Sequence, residues 1–486
     1  MVNNESAGKQ IQCIAVIGGG ISGLAAAWQL QQLARTHNLP MEIHLVEAAD
    51  RLGGKIITEQ LDSLTIEGGP DCFIRQKPYA AELSAAVGLK DKLIDTNDHQ
   101  RKTFVVNKGK LTPLPDGVML IVPTRILPFV TSPLISWPGK IRMGLDLFVP
   151  PFKGADDESV AHFVKRRLGT EALEKIAEPL LSGIHVSDPE TQSLLATFPR
   201  FRNLEQKNGS LIKGMLVERK RGAAARKNGH KPDSIFQSLR GGMGQLTETL
   251  GEALTDCTLH KGTRVERLDR MDRQYTLTLS SGETLQSDAV ILAIPAFEAA
   301  SLLRPLNPAV AVDLDRINYV STATISMAFR KSDITKPFMG FGLVVPRQEK
   351  RKISACTWSS FKFNHRAPDD LLLLRCFVGG PGKEAMVDLS DEELVQTARQ
   401  ELKSLLGLEA VPVVTRIYRW VKANPQYDLG HLERVSRIFT DVKTHLPGIF
   451  LTGSAYEGVG VPDCVRQGTE TAKKVFASID LALEEK

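Results

Sequence analysis

The sequence predicts a mixed α/β and α+β protein: a discontinuous Rossmann-type dinucleotide-binding domain, a helical insertion and a second domain built on a mixed sheet. Three observations carry this. An apolar, β-branched run at 14–17 leads into Gly18, Gly20 and Gly23 in G-x-G-x-x-G spacing, then into a helical apolar pattern. A second strand–glycine–helix unit closes the chain at 449–474. Between the two lie a proline-broken stretch and a long series of strand-like segments.

The first unit sets the frame. Residues 14–17 suit a buried parallel strand, and 22–33 place Leu24, Ala27, Trp28 and Leu33 on or near one helix face. The glycines permit a sharp turn, close approach of a diphosphate and tight packing of helix on strand. The helix N-terminus, from Gly19 and Gly20 through Ile21 and Ser22, offers free N–H groups to the phosphates. Residues 42–46 form the second strand, with Glu47 and Ala48 at its end. An acid about 20 residues beyond the glycines accepts hydrogen bonds from ribose hydroxyls.

Next comes R-L-G-G-K, Arg51 to Lys55. Gly54 and its neighbour clear the backbone for a second approach to the diphosphate, with a cation on each side. This run resembles the signature of FAD-dependent amine oxidases, phytoene desaturases and protoporphyrinogen oxidases, and it selects FAD over NAD. A short strand then ends at Gly68, Gly69, Pro70 and Asp71, at the strand edge where ligands sit in α/β sheets. Phe73, Arg75 and Lys77 follow, and two cations beside an aromatic suit a flat, acidic substrate. Solvated surface charge is the alternative.

Residues 80–87 read as a helix. The stretch 110–151 carries eight prolines among dense apolar residues and reads as short helices and turns. It suits a subdomain core, with a membrane-surface patch or a substrate-channel wall as alternatives. Residues 159–168 and 171–181 read as amphipathic helices. The basic stretch 218–232 reads as a surface loop, since it has no interleaved aromatics to stack bases.

Residues 238–254 read as a glycine-rich turn feeding a helix, 260–269 as a strand centred on Val265, 275–286 as a hairpin and 288–295 as a buried strand. This order marks the return of the dinucleotide domain, with the Val265 backbone beside adenine. From 301 to about 424 strands alternate with polar turns, apart from a capped helix at 391–406. Trp420 closes this block, beside the cofactor or in the core. In the last unit, Gly453 ends a strand and Val459, Gly460 and Val461 open a helix aimed at the pyrimidine end of the cofactor. Gly468 and Ala472 are spaced for close helix packing.

The bulk numbers agree. With 486 residues, the chain needs two or three domains. The predicted division is 1–75, 235–300 and 440–486 for FAD, 76–190 for the helical insertion, and 191–234 with 301–439 for substrate. A net charge of +5 is too small to argue for nucleic acid and suits an anionic substrate. Six scattered cysteines without a C-x-x-C pair predict neither a zinc site nor a disulfide framework, and fit a reducing, cytoplasmic compartment. No apolar run is long enough for a transmembrane span.

Along nearly its whole length the chain resembles the flavin-dependent porphyrinogen oxidases of haem biosynthesis. The matching stretches are VIGGGISGLAAA, VEAADRLGGK, EGGPDCF, LTPLPDGVMLIVPT, EPLLSGIHVSDPETQSLLATFP and TGSAYEGVGVPDCVRQG. Among these oxidases it is most similar to the oxygen-dependent, coproporphyrin-forming branch of Gram-positive bacteria. The resemblance implies FAD as cofactor, a porphyrinogen and O2 as reactants, and a downstream ferrochelatase as partner. Six electrons leave the macrocycle in three two-electron steps and reach O2 as H2O2. The flavin carries the chemistry, so no catalytic side chain or metal is expected. Coproporphyrinogen III is the expected substrate and protoporphyrinogen IX the alternative, with Arg75 and Lys77 reading the propionates. An amine or carotenoid oxidoreductase and a non-catalytic flavoprotein stand as the other classes; only Tyr456 lies near the last motif to serve as an amine-flanking aromatic.

Overall fold

The computed structural model describes residues 12–119, 121–154, 156–226, 234–272 and 274–484. Strand β1 (Gln12–Ile17) leads into helix α1 (Ile21–His37) and strand β2 (Met41–Val46). The chain returns to the same sheet far downstream with β3 (Cys257–His260), β4 (Ala289–Leu292) and β5 (Ile449–Leu451), and ends in helix α2 (Val461–Glu484). The order is β3-β2-β1-β4-β5, and every pairing is parallel. Both faces are therefore covered, and the central strands read as continuous apolar runs. On one side α1 and α2 pack with Leu24, Leu30, Ile43, Val475 and Ile479. On the other a three-stranded antiparallel sheet (Val265–Met271, Gln274–Leu279, Thr284–Ser287) packs with helices over Val290 and Leu292.

A seven-stranded mixed sheet stands above this domain, in the order Val414–Pro425, Tyr319–Arg330, Leu371–Gly379, Ala355–Thr357, Gly342–Val344, Thr103–Asn107, Lys110–Pro113. Its last strand comes from sequence read as short helices and turns, and Thr103–Asn107 from within the predicted insertion; Gly342–Val344 pairs in parallel with Thr103–Asn107. A separate helical core gathers Phe129, Leu134, Val160, Phe163, Ile176 and Phe201. Asp146 and Arg167 lie wholly buried within it.

Three sequence expectations are corrected. The basic stretch 218–232 is not a loop from its start: the helix Leu211–Arg226 runs through it, since Ala, Lys and Arg are good helix formers. Its remainder, 227–233, lies outside the described residues. The single strand at 260–269 is two strands, Cys257–His260 and Val265–Met271, separated by a turn in which Gly262 has φ +64°. The block after 301 opens on two helices, Ala296–Leu303 and Pro308–Asp315, before its strands begin.

Candidate cofactor and substrate site

The β1–α1 turn is built by steric necessity. Gly18 has φ +105°, and a Cβ there would lie 2.6 Å from the Ala293 carbonyl oxygen. A Cβ on Gly23 would lie 1.9 Å from the Gly18 oxygen, so only glycine lets α1 start here. Gly20 caps α1 without a side-chain hydrogen bond, and no acid occupies the first turn. The positive helix end and its N–H groups, among them Ile21 and Ser22, are left for an anion. At Gly20 a Cβ would meet nothing nearer than the Gly54 Cα at 4.0 Å. That open space above a helix N-terminus fits a diphosphate.

Glu47 ties together the backbone at the end of β2. Its Oε2 accepts from the Gly19 N–H at 2.6 Å and its Oε1 from the Ala49 N–H at 2.9 Å. Its backbone N–H donates to the His260 oxygen, and its own oxygen accepts from the Thr263 N–H. The turn into Val265, which is 7% exposed and starts a bulged strand, is thereby tied to the end of β2. Ala48 is exposed beside it. Glu47→Ala should weaken FAD retention by about 1–3 kcal/mol, the worth of lost hydrogen bonds to a charged acceptor. Equilibrium dialysis of FAD measures this, and unchanged affinity would remove the ribose role.

The R-L-G-G-K run folds back on the same turn. The Gly53 N–H donates to the Gly19 oxygen at 2.8 Å, and a Cβ on Gly54 would sit 3.1 Å from the Gly20 Cα. Arg51 spends its guanidinium on the carbonyls of Leu52, Gly54 and Ile56, bracing the loop. Lys55 donates to the Ala423 oxygen, and burial pushes its ammonium pKa down. A Cβ on Gly69 would lie 1.8 Å from the Lys55 oxygen, which stacks the Gly68-Gly69-Pro70 turn on the loop. The Gly68 oxygen accepts from Trp420 Nε1 and from Arg375 Nη2, both at 2.9 Å. Trp420 thus faces the turn rather than the centre of the core, and links the upper sheet to it.

Asp71, just beyond, pairs with Lys362 at 2.9 Å. Burial raises its carboxyl pKa, but Lys362 and Arg375 outweigh this and hold it below the usual carboxylate range. Glu67 on the other side is raised to about 7, chiefly by burial, despite Arg366 and the hydrogen bond from Thr58. Between its ordinary 4.5 and about 7 the folded chain holds a proton that the unfolded chain has released. Stability should therefore fall with rising pH across that window, and Glu67→Gln should flatten the slope in denaturant titrations.

The late segment meets the early one directly. A Cβ on Gly468 would lie 2.2 Å from the Ser22 oxygen, and one on Gly453 4.0 Å from the Ser22 Oγ. The α2 N-terminus, with Val459, Gly460 and Val461, is therefore brought to the start of α1. Gly458 has φ +121°, and its N–H donates to the Tyr427 hydroxyl at 2.7 Å. Arg75 pairs with Asp95 at 3.1 Å, and Lys77 with Asp463, in the first turn of α2, at 2.7 Å. Both predicted substrate cations are thus members of ion pairs, and Lys77 is tied to the first turn of α2.

Sequence reading missed Lys362, Arg375, Tyr427 and His185. His185 ends the helix Glu178–His185, edge-on to Phe198. Burial, with the charge of Lys77, pushes its pKa down to about 4, so it is neutral beside that lysine. Arg375 could have been found: a lone cation inside the run LLLLRCFVG requires a buried partner. Lone histidines and tyrosines give no such signal.

A family profile described as flavin containing amine oxidoreductase matches residues 21–476. Coproporphyrinogen III oxidase of Bacillus subtilis (strain 168) is 38% identical over 455 residues, 94% of this chain and 96% of that one. The enzyme of the same name from Staphylococcus aureus is 33% identical, covering 96% and 99%. A crystal structure from Exiguobacterium sp. 255-15, assigned as a protoporphyrinogen oxidase, superposes with a TM-score of 0.86 at 34% identity, covering 96% and 99%.

Proposed function

We propose that this chain, which belongs to the flavin containing amine oxidoreductase family, uses FAD to oxidise a porphyrinogen in haem synthesis, and that its substrate is coproporphyrinogen III. The observation that carries the reading is the end-to-end match to coproporphyrinogen III oxidases. It extends past the cofactor motifs into the helical region and the upper sheet. The balance is coproporphyrinogen III plus three O2 giving coproporphyrin III plus three H2O2, six electrons and six protons leaving the macrocycle.

FAD, when bound, supplies a two-electron acceptor that O2 can reoxidise. The chain's own residues do the rest. The α1 N-terminus at Gly20, Ile21 and Ser22 binds the diphosphate, and Glu47 takes the ribose. The α2 N-terminus at Val459–Val461 stabilises negative charge at the pyrimidine end. The Gly68–Asp71 turn, held by Trp420 and Arg375, forms a floor, and the upper sheet excludes water. Arg75 and Lys77 exchange Asp95 and Asp463 for substrate propionates. Arg75→Ala combined with Lys77→Ala should raise KM for coproporphyrinogen, with four propionates, more than for protoporphyrinogen, with two. Equal effects would mean that these cations do not read the extra carboxylates.

Against an amine substrate, Tyr456 is 1% exposed and its ring packs on Phe439, so it cannot flank an amine at the cofactor. Among the described residues no helix is long and apolar enough to cross a membrane. Ile126, Leu127, Trp137, Ile141 and Phe148 are nonetheless each more than 60% exposed. That apolar surface suits peripheral contact with a membrane, and hand-over of product to a downstream ferrochelatase belongs to the same proposal. The ratio of kcat/KM on the two porphyrinogens tests the substrate assignment. It should favour coproporphyrinogen, and a preference for protoporphyrinogen would reverse it.

A further inference from the structure

The residues proposed to hold the cofactor gather at the C-terminal ends of the parallel strands. At the other end, three donor side chains converge. Cys13 of β1 and Glu42 of β2 are register partners, and the two-residue period of a strand puts His44 on the same face as Glu42. One ligand atom from each, Cys13 Sγ, a Glu42 carboxylate oxygen and a His44 ring nitrogen, lies within 4.8 Å of the others. His44 is buried, Cys13 half-buried and Glu42 exposed. No spacing in the sequence announces this set; sheet register assembles it.

We propose that Cys13, Glu42 and His44 bind a borderline divalent cation of the zinc class, with His260 of β3 orienting His44 from behind. His44 Nε2 lies 3.3 Å from Glu42 Oε1, while its Nδ1 lies 3.1 Å from His260 Nε2. When Nδ1–H donates to His260, the Nε2 lone pair points at the carboxylate. In that tautomer Nε2 is free to take a cation shared with the carboxylate, and the Cys13 sulfur lies within 4.8 Å of both ligand atoms. A metal-bound imidazole commonly has its far nitrogen held by a second group, the place His260 takes. A mixed thiolate, imidazole and carboxylate set selects zinc-like ions over magnesium or calcium.

Donors sharing one zinc lie about 3–4 Å apart, so the exposed Glu42 side chain closes the site with a small swing. The fourth position is left to water. Burial, with Glu42 and Asp288, pushes the Cys13 thiol up to about 11 and keeps it protonated in the absence of a cation. Binding therefore forms bonds from sulfur, nitrogen and oxygen to the metal and releases the thiol proton to solvent, with no change of oxidation state. The ion would clamp β1 to β2 toward the N-terminal ends of the two strands.

Dialysed holoprotein titrated with Zn2+ against a chromophoric chelator tests this. One tightly held equivalent is expected in the native chain. Cys13→Ser and His44→Ala should each weaken it at least tenfold with FAD content unchanged, and His260→Ala should weaken it by about 10–100-fold. With Co2+ as probe, a sulfur-to-cobalt charge-transfer band should be present in the native chain and absent in Cys13→Ser. If His44→Ala fails to fold, the exposed Glu42→Gln carries the comparison. Zinc affinity equal in native and variant chains, or a cobalt band that survives Cys13→Ser, overturns the proposal.

Discussion

Gly23→Ala should give a colourless protein. The new Cβ would stand 1.9 Å from the Gly18 oxygen, which is backbone and cannot rotate away. Either α1 moves off β1 or the Gly18 turn opens, and both destroy the diphosphate site. Overpacking alone costs about 1–3 kcal/mol, and loss of bound FAD removes the stabilisation that ligand binding adds. Gly20→Ala separates the two effects. Its Cβ has 4.0 Å of clearance to the nearest atom of the chain, so the fold should survive while FAD, which needs that space, binds more weakly. Visible flavin absorbance and thermal melting distinguish the outcomes. A yellow Gly23→Ala protein with native melting would contradict the geometry.

Asp146→Ala should cost about 3–5 kcal/mol, the usual penalty for stranding a buried charge. Arg167 and Asp146 are both 0% exposed. Arg167 Nε donates to Asp146 Oδ1 at 2.6 Å, while Asp146 Oδ2 also accepts from the Ile212 N–H at 2.9 Å. The pair ties the segment around 146 to helix Val160–Leu168 and to the start of helix Leu211–Arg226. Glu205 already contacts Arg167 at 3.4 Å but is shared with Arg166 and Arg202, so it replaces only part of the lost pairing. Pairing Asp146→Leu with Arg167→Met should recover most of the loss, since apolar residues of similar volume replace a buried pair well. Chemical denaturation measures both. A change below about 1 kcal/mol for the single variant would fall within the range of exposed pairs and would mean that water reaches Arg167.

What could be read from the sequence was local. The Gly18–Gly23 turn and the closing unit at Gly453–Val461 declare themselves by spacing, because each solves a steric problem within a few residues, and Glu47 by its place at the end of β2. The helix Asp391–Leu406 is legible for the same reason: Ser390 and Glu393 form its capping box. Contacts set by the whole fold were hidden. Thr103–Asn107 joins the upper sheet through a partner more than 200 residues away. The Gly68 carbonyl draws Trp420 and Arg375 from two different strands of that sheet. The ion pairs of Arg75 with Asp95 and Lys77 with Asp463 were equally invisible, and they change what those cations must give up to meet a substrate.

Everything rests on three distant segments making one cradle for a flavin that a porphyrinogen reduces. Anaerobic titration of the purified holoprotein with coproporphyrinogen III measures that directly. The oxidised flavin spectrum should bleach as porphyrinogen is added and return when O2 is admitted. A flavin that stays oxidised with coproporphyrinogen and protoporphyrinogen, yet bleaches with a simple amine, would contradict it.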